Sequence, residues 1–445
     1  MSLNIIYIHS HDTGRYTQPY GHAIPTPNIQ RLAEEGVLFR QAFCANPTCS
    51  PSRASLLTGQ WAHSCGMGGL ANRGWSLPVP EHLIMHTLKQ AGYVTAMAGF
   101  QHVVKNVSTA GYTRVLSQEN DKAGAEERAV DFLSEEHTQP FFLDVGFGET
   151  HRRGTGFDDQ PIGEIRTDPR YVKPPAPFPD TSETRQDMAE YIDAARTLDY
   201  KMGQVFEAID RNDLRDDTMI ICTTDHGLAF PNMKCHLTDH GIGVMLIMRG
   251  PDGFKDGKVI DGMVSQVDLF PTVCELTSIS KPSWLQGKSI TPLIHGKEEI
   301  HQEIFAEVNY HCCYEPQRAV RTKRWKYIRR YDQATTLAMP NCDESISKTY
   351  MIEHEWNRKL VESERLYDLV YDPDETNNLA DDSRHQGTRE QLRAKLDQWC
   401  QETTDPLLEG SIMIPPKTAV LNDPNDRSPN DKLYPAWDIM GIESD

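Results

Sequence analysis

The sequence has 445 residues, a formal net charge of −19 and 38% hydrophobic residues. This composition is typical of a globular protein with room for two or three domains. The strong negative charge argues against a protein that binds nucleic acid or an anionic membrane surface. No apolar run approaches the ~18 residues that a membrane span needs, so we expect no membrane partner.

From the N-terminus to about residue 300, short β-rich runs alternate with helical patterns. The strand candidates are Ile5–Ile8, Val37–Phe43, Thr95–Gly99, Phe141–Phe147, Thr218–Thr223 and Val244–Met248. The helix candidates are Asn28–Glu35, Ser52–Leu57, Pro80–Gln90, Ala125–Glu135 and Met188–Asn212. This alternation predicts a mixed, mainly parallel sheet with helices on both faces, where ligands bind at the carboxyl ends of the strands.

The composition changes after about residue 305. Residues 319–329 alternate like a strand of an antiparallel hairpin, Glu364–Leu369 predicts another strand, and residues 384–401 predict an amphipathic helix. After Asp405 the chain is rich in Pro, Asn and Asp, which favours an extended arm or a loosely held tail. We therefore predict an N-terminal catalytic domain (1–305), a small α+β subdomain with antiparallel strands (306–405) and an extended tail (406–445).

The most specific signal is the stretch Cys49–Gly59, which fits the pattern C-x-P-S-R-x-x-x-L-T-G at every fixed position. Pro51 and Ser52 suit the first turn of a helix. The backbone N–H groups of that turn have no partner within the helix, so the missing N–H of proline costs nothing there and a serine hydroxyl can cap a free N–H. Residue 49 would then lie at the positive end of the helix, with Arg53 one turn further on. An isolated cysteine is more often a buried structural residue, but the surrounding pattern outweighs that interpretation.

This pattern is the signature of the type I sulfatases, and the chain resembles that family to about residue 400. Within the family it is most similar to the branch that contains the heparan N-sulfatases. The resemblance implies an alkaline-phosphatase-like fold and one bound divalent metal ion. It also implies that a maturation enzyme converts Cys49 to formylglycine. The hydrated aldehyde then attacks sulfur, which divides a difficult hydrolysis into two steps.

The family's metal ligands map onto His11-Asp12, after the first strand, onto Asp225-His226, after the fifth, and onto residue 49. Most sulfatases have oxygen ligands at both pairs and bind Ca²⁺. Ca²⁺ is therefore the family default, but if His11 or His226 binds the ion, the imidazole suits Mn²⁺ or Zn²⁺ instead. His11 is either a ligand or a partner that orients Asp12, and the sequence leaves both interpretations open.

Around the sulfate, the family uses two lysines and two histidines. His102, His151 and Lys234 match three of them and, with Cys49 and Arg53, are the catalytic candidates; His151 is the candidate general acid. Phe100 replaces the other lysine, and Lys105 or Arg73 could supply the lost charge. The substrate-binding candidates are His63, His240 and Arg73.

We therefore expect a sulfatase that acts on a sulfate ester or sulfamate of a small anionic substrate, in particular a sulfated sugar. A phosphonate monoester hydrolase or phosphodiesterase on the same scaffold is the alternative, favoured by Asp225-His226 and the lost lysine. A third possibility is a binding protein that retains the fold and is never converted, against which the intact signature argues.

Ten cysteines without framework spacing, and no signal peptide before the first strand, favour a reduced protein in the cytoplasm. A trimmed periplasmic or secreted form would look the same. A homo-oligomer is compatible with the sequence.

Overall fold

The computed structural model describes residues 3–118, 124–157, 166–410 and 412–442. In chain order, the strands within these ranges are β1 Asn4–Ser10, β2 Val37–Phe39, β3 Ala42–Phe43, β4 Val94–Gly99, β5 Arg114–Gln118, β6 Phe141–Gly146, β7 Thr218–Thr224, β8 Leu246–Arg249, β9 Lys258–Ile260, β10 Val264–Ser265, β11 Glu303–Tyr310, β12 Tyr314–Thr322, β13 Trp325–Arg330, β14 Glu364–Asp368, β15 Val420–Asn422 and β16 Leu433–Pro435. The α-helices are α1 Pro27–Glu35, α2 Cys49–Thr58, α3 Ala62–Cys65, α4 Ile84–Gln90, α5 Ala125–Leu133, α6 Ser182–Arg211, α7 Asp239–Ile242, α8 Leu269–Leu276, α9 Thr291–Ile294, α10 Ile346–Glu353, α11 Gln386–Glu402 and α12 Ala436–Met440.

Eight strands form the main sheet, in the order β5-β4-β6-β1-β7-β8-β2-β9. The pairings are parallel except for the two that involve β8. Successive residues of β1 enter different cores, because side chains alternate between the two faces of a strand: Ile5 and Tyr7 pack on one side, Ile6 and Ile8 on the other. Helices α2, α4 and α8 cover the first face, and α1, α5 and α6 cover the second. The predicted mixed sheet with helices on both faces is confirmed.

Some predicted elements have different bounds. The predicted strand Val37–Phe43 is two strands in different sheets, because a turn at Arg40 and Gln41 separates β2 from β3. The predicted helix Pro80–Gln90 divides at Leu83, whose extended backbone separates a 3-10 turn from α4. Helix α6 begins at Ser182, earlier than predicted, because Thr181 and Thr184 form a capping box there.

The C-terminal region contains the predicted antiparallel strands. β11, β12, β13 and β14 form a four-stranded sheet, and residues 319–329, predicted as one strand of a hairpin, are the end of β12 and the start of β13. The sheet begins at Glu303, just before the predicted boundary, and the division into domains stays a prediction.

The expectation of a loosely held tail is not met. β15 and β16 pair as a small hairpin that is followed by α12, and Ala419, Leu421 and Ala436 are buried in the main core. These apolar side chains anchor a segment whose overall composition is polar. Within the described ranges, no helix has both the length and the apolar character needed to cross a membrane.

Candidate active site

The two predicted metal-binding pairs meet where β1 and β7 end. These strands pair in parallel with Ser10 opposite Thr224, so the residues that follow each strand are neighbours. The backbone N–H of Asp12 donates to Oδ1 of Asp225 over 2.8 Å. Asp12 has a φ of 57°, in the left-handed region that aspartate tolerates better than most residues. The two strand ends therefore bring both carboxylates together.

Five buried side chains form what we call the active-site cluster: His11, Asp12, Cys49, Asp225 and His226. Each offers one ligand atom, and these atoms all lie within 4.8 Å of one another. Nε2 of His226 lies 3.2 Å from Oδ1 of Asp12, 3.7 Å from Oδ2 of Asp225 and 3.5 Å from Sγ of Cys49. Two carboxylates and two imidazoles that converge in this way fit a divalent cation.

His11 contacts both carboxylates. Its Nδ1 lies 2.7 Å from Oδ1 of Asp12 and 3.3 Å from Oδ2 of Asp225. Burial lowers the pKa of His11 to about 4, so the ring is neutral near pH 7. The geometry is compatible both with a ligand and with a partner that orients Asp12.

Cys49 is the first residue of α2, which therefore begins before the predicted Ser52–Leu57. Ser52 does not cap the helix; its hydroxyl donates to the carbonyl oxygen of Asp225 over 2.6 Å and ties the first turn to the end of β7. Burial raises the pKa of the Cys49 thiol well above its ordinary value. An unconverted Cys49 would therefore be protonated near neutral pH, which is a poor state for thiolate chemistry.

Arg53 lies under the cluster and is held from several directions. Its Nη2 donates to the carbonyl oxygen of Ser10 over 2.9 Å and to Oδ2 of Asp225 over 3.0 Å. Its guanidinium lies 4.9 Å from the centroid of the Phe100 ring. The ring that replaces the family's lysine thus packs on the neighbouring arginine.

Phe100 also contacts the two histidines of this wall, with ring centroids 5.0 Å from His11 and 5.7 Å from His102. Burial, together with the charges of nearby groups, lowers the pKa of His102 to about 3, so the ring is neutral. Its Nδ1 is buried without a hydrogen-bond partner in the described part of the chain.

Lys234 and His151 border the cluster on the side of Asp12. Nζ of Lys234 lies 3.0 Å from Oδ2 of Asp12, and Nε2 of His151 lies 3.8 Å from the same oxygen. Burial alone would lower the pKa of Lys234, but nearby carboxylates outweigh it and raise the pKa well above its ordinary value. The side chain of His151 is 37% exposed, which leaves it accessible to a ligand. The predicted catalytic residues and metal ligands are thus gathered at one place.

Two of the three substrate-binding candidates lie elsewhere. His63 is 1% exposed, and its Nδ1 lies 2.8 Å from Oε1 of Glu307. The buried ring of His63, paired with Glu307, offers no exposed surface to a ligand, so the structure does not support the predicted substrate-binding role. Nδ1 of His240 lies 2.8 Å from the hydroxyl oxygen of Tyr16, and His240 borders a cavity of about 660 Å³ that no residue of the cluster lines.

Arg73, the third candidate, is buried beside the hairpin tip between β11 and β12. Its Nη2 donates to the carbonyl oxygen of Pro429 over 3.3 Å, and its Nη1 has no partner among the described residues. Its charge helps to lower the pKa of His311, after burial and Lys234. Lys105, the other candidate for the lost charge, is exposed.

Sequence reasoning missed a chain of polar groups behind Arg53. Nη1 of Arg53 lies 2.5 Å from Nδ1 of His9, whose Nε2 lies 2.9 Å from Oδ1 of Asp144. The hydroxyl of Tyr112 donates to the other carboxylate oxygen of Asp144. Asp144 is the one charged residue in the apolar run Phe141–Phe147, a signal that could have been used.

Two further residues that were missed come from the C-terminal region. Asp343 forms an ion pair with Lys234, with Oδ2 and Nζ 2.9 Å apart. The buried ring of His311 lies close enough for the charges of Lys234 and Asp343 to act on its pKa. Neither residue lies in a motif, and only the packing of the C-terminal region against the main sheet brings them here.

A sequence model of the sulfatase family matches residues 3–279. The chain belongs to the sulfatase family. A second model, described as the C-terminal region of N-sulphoglucosamine sulphohydrolase, matches residues 230–344. The chain is therefore a sulfuric ester hydrolase, and its fold is that of the alkaline-phosphatase-like sulfatases. The family implies a metal ion and a formylglycine, and the active-site cluster is compatible with both.

Several curated relatives align over most of their length. The human N-sulphoglucosamine sulphohydrolase is 28% identical over 467 aligned residues, which cover 91% of both chains. An ulvan-active sulfatase from Formosa agariphila is 24% identical and covers 89% of this chain and 74% of its own. A Δ4,5-hexuronate-2-O-sulfatase from Bacteroides thetaiotaomicron is 23% identical, with 88% and 86% covered.

Solved structures share the fold. One, described as a complex with its substrate D-glucosamine-2-N,6-O-disulfate, has a TM-score of 0.72 and 18% identity and covers 91% of this chain and 99% of its own. Another, described as a 2-O glycosaminoglycan sulfatase, has a TM-score of 0.73 and 20% identity, with 94% and 96% covered.

Proposed function

We propose that this sulfatase hydrolyses a sulfate ester or sulfamate of a sulfated sugar at the active-site cluster. The observation that carries the proposal is the position of Cys49. It lies at the N-terminus of a buried helix, inside the sulfatase signature and 3.5 Å from His226 of the cluster. The sulfated-sugar substrate is supported by the relatives named above, which include the sulphohydrolase of N-sulphoglucosamine.

The chain's own residues divide the work. Formylglycine at position 49, with the bound metal ion, supplies the activated nucleophile. Arg53 holds Asp225 and orients the end of β7 against the helix. Lys234 is a cation that can bind an oxygen of the sulfo group. His151, which is partly exposed beside Asp12, is placed to donate a proton to the leaving oxygen or nitrogen.

For the metal ion, we propose that Asp12, Asp225 and His226 are ligands, together with position 49. Because His226 contributes an imidazole, Mn²⁺ or Zn²⁺ fits the donor set better than the Ca²⁺ that is usual in the family. A second imidazole, on His11, would add to this preference where it binds the ion; as a partner of Asp12 it would instead orient that carboxylate.

The phosphonate or phosphodiester alternative is not favoured, since the matched family and the curated relatives named above are sulfatases or a sulphohydrolase. The deciding experiment measures rates on aryl sulfate, aryl phosphonate and N-sulfoglucosamine, with protein produced beside a formylglycine-generating enzyme. Intact mass verifies the conversion, because the aldehyde is lighter than the thiol. We expect turnover of a sulfated compound; a faster rate on the phosphonate in fully converted protein would contradict the proposal.

We also propose that the protein works in the reducing cytoplasm, with a maturation enzyme as its transient partner. All ten cysteines are free and buried, which supports a reduced state.

A further inference from the structure

Asp343 reaches Lys234, which borders the active-site cluster, from the C-terminal region. It follows Asn341, whose side-chain oxygen accepts hydrogen bonds from the backbone N–H groups of Cys312 and Cys313, both over 2.8 Å. These bonds fix the segment against the hairpin tip that carries His311. From this position, Oδ2 of Asp343 lies 2.9 Å from Nζ of Lys234.

The ammonium group of Lys234 is thus shared by two carboxylates, Asp12 at 3.0 Å and Asp343 at 2.9 Å. The Lys234 side chain is only 3% exposed, whereas that of Asp343 is 16% exposed. Asp12 belongs to the active-site cluster, whereas Asp343 is not one of its five members. Asp343 is therefore the more exposed member of the ion pair with Lys234.

Asp343 is a fixed negative charge. Burial alone would raise its pKa, but Lys234 and His151 outweigh burial and hold the pKa of Asp343 well below its ordinary value. An anion that binds Lys234 must therefore also come near a carboxylate. The Coulomb energy of that repulsion scales with the charge of the anion, so a dianion is repelled about twice as strongly as a monoanion.

We propose that Asp343 is a specificity-determining residue, which positions Lys234 and lets the site accept a singly charged sulfo group in preference to a doubly charged phosphate monoester. This inference rests on the proposed function, because it concerns the anion that the same site binds. The C-terminal region would then contribute to substrate specificity, although the nucleophile and the metal ligands come from the N-terminal part of the chain.

Glu344 offers a matched control. It neighbours Asp343, its side chain is 19% exposed, and it pairs with Lys348 over 2.7 Å, away from the cluster. Asp343→Asn and Glu344→Gln each remove one carboxylate charge from the same segment. Only the first removes a charge next to Lys234.

Binding is measured by calorimetry on metal-loaded, full-length protein with unconverted Cys49, so that no turnover is needed. The probes are sulfamate, a monoanion, and inorganic phosphate at mildly alkaline pH, where it is a dianion. We expect Asp343→Asn to increase phosphate affinity on the order of tenfold relative to sulfamate affinity. Glu344→Gln and the charge-retaining Asp343→Glu should keep the wild-type ratio. If Asp343→Asn does not fold, Asp343→Ser is used in its place, since it removes the same charge.

An unchanged ratio of the two affinities in the neutral variants would overturn the inference, as would an equal shift in Glu344→Gln. In converted protein, Asp343→Asn should also raise kcat/KM for aryl phosphate relative to aryl sulfate. The binding experiment does not depend on which sulfated compound is hydrolysed. Its failure can therefore be distinguished from failure of the proposed function.

Discussion

Two buried ionic clusters in this protein both contain histidines and carboxylates but pair their charges differently. In the active-site cluster, Asp12, Asp225, His11 and His226 converge with Cys49 on one point. The second cluster, which we call the Arg318 network, consists of His63, Glu307, Arg318 and Asp405. There Arg318 donates to both carboxylate oxygens of Asp405, at 2.5 and 3.0 Å, and Glu307 accepts from the ring of His63 at 2.8 Å.

The difference lies in what completes each cluster. A buried charge is tolerated only when partners compensate for the loss of water. In the Arg318 network the fold itself supplies them, including the carbonyl oxygens of Val308 and Gln317. In the active-site cluster the ligand atoms face one another and fit an external cation. Substitutions in the Arg318 network should therefore reduce the stability of the fold, and substitutions in the active-site cluster should reduce metal binding and activity.

The largest effect is expected from Cys49→Ala, which removes the nucleophile. The rate on aryl sulfate should fall by several orders of magnitude, since no other group can form the covalent intermediate. The melting temperature and the metal content should change little, because the side chain is small and the carboxylates remain. Activity above about a tenth of wild type would remove Cys49 from the mechanism.

Asp225→Ala should remove the cation and nearly all activity, and Asp12→Ala should do the same. Each leaves the cluster with one carboxylate for a doubly charged ion, which is too little negative charge to hold it. Elemental analysis after gel filtration measures the metal. Asp397→Asn, which breaks the half-buried pair with Arg329, is the control and should retain a full complement of metal. Retention of metal by both alanine variants would contradict the assigned site.

Asp405→Asn tests the other side of the comparison. Arg318 is completely buried and would lose its main anionic partner, so the free energy of unfolding should fall by about 3 kcal/mol. Metal content should stay unchanged in the folded protein. Urea unfolding beside Asp397→Asn supplies the reference, since a pair that solvent still reaches contributes about 1 kcal/mol. Equal losses in the two variants would show that the Arg318 network does not stabilise the fold.

The same comparison explains what the sequence could predict. Cys49, Asp12 and Asp225 follow local rules: a signature at a helix start, and acidic residues just after apolar strands. His63 was chosen because it lies just past the helix that carries Cys49, and a position in the chain does not reveal that its ring is buried against Glu307. Asp343 could not be predicted, because its partner Lys234 belongs to a distant loop and only tertiary packing joins them.

The smallest effect is expected where this active site departs from its family. His226→Asn replaces an imidazole of the cluster by an amide oxygen, a harder ligand, so metal preference should move from Mn²⁺ or Zn²⁺ towards Ca²⁺. Phe100→Lys would place a second ammonium group beside Arg53 and His102, where Phe100 now packs. A sulfate monoester develops negative charge on its leaving oxygen as the bond to sulfur breaks, and a nearby cation stabilises that charge.

The double variant should therefore raise the rate on aryl sulfate relative to aryl phosphonate by a few fold. Reconstitution with Ca²⁺, Mn²⁺ and Zn²⁺ tests the change in metal preference, and rates on both substrates test the change in their ratio. Each single variant is the control for the other. Phe100→Met keeps an apolar side chain without the ring, so it distinguishes an added charge from a lost ring. If neither the metal preference nor the ratio of the two rates moves, His226 and Phe100 determine neither property. The Asp12 and Asp225 carboxylates would then be the groups that set the metal preference.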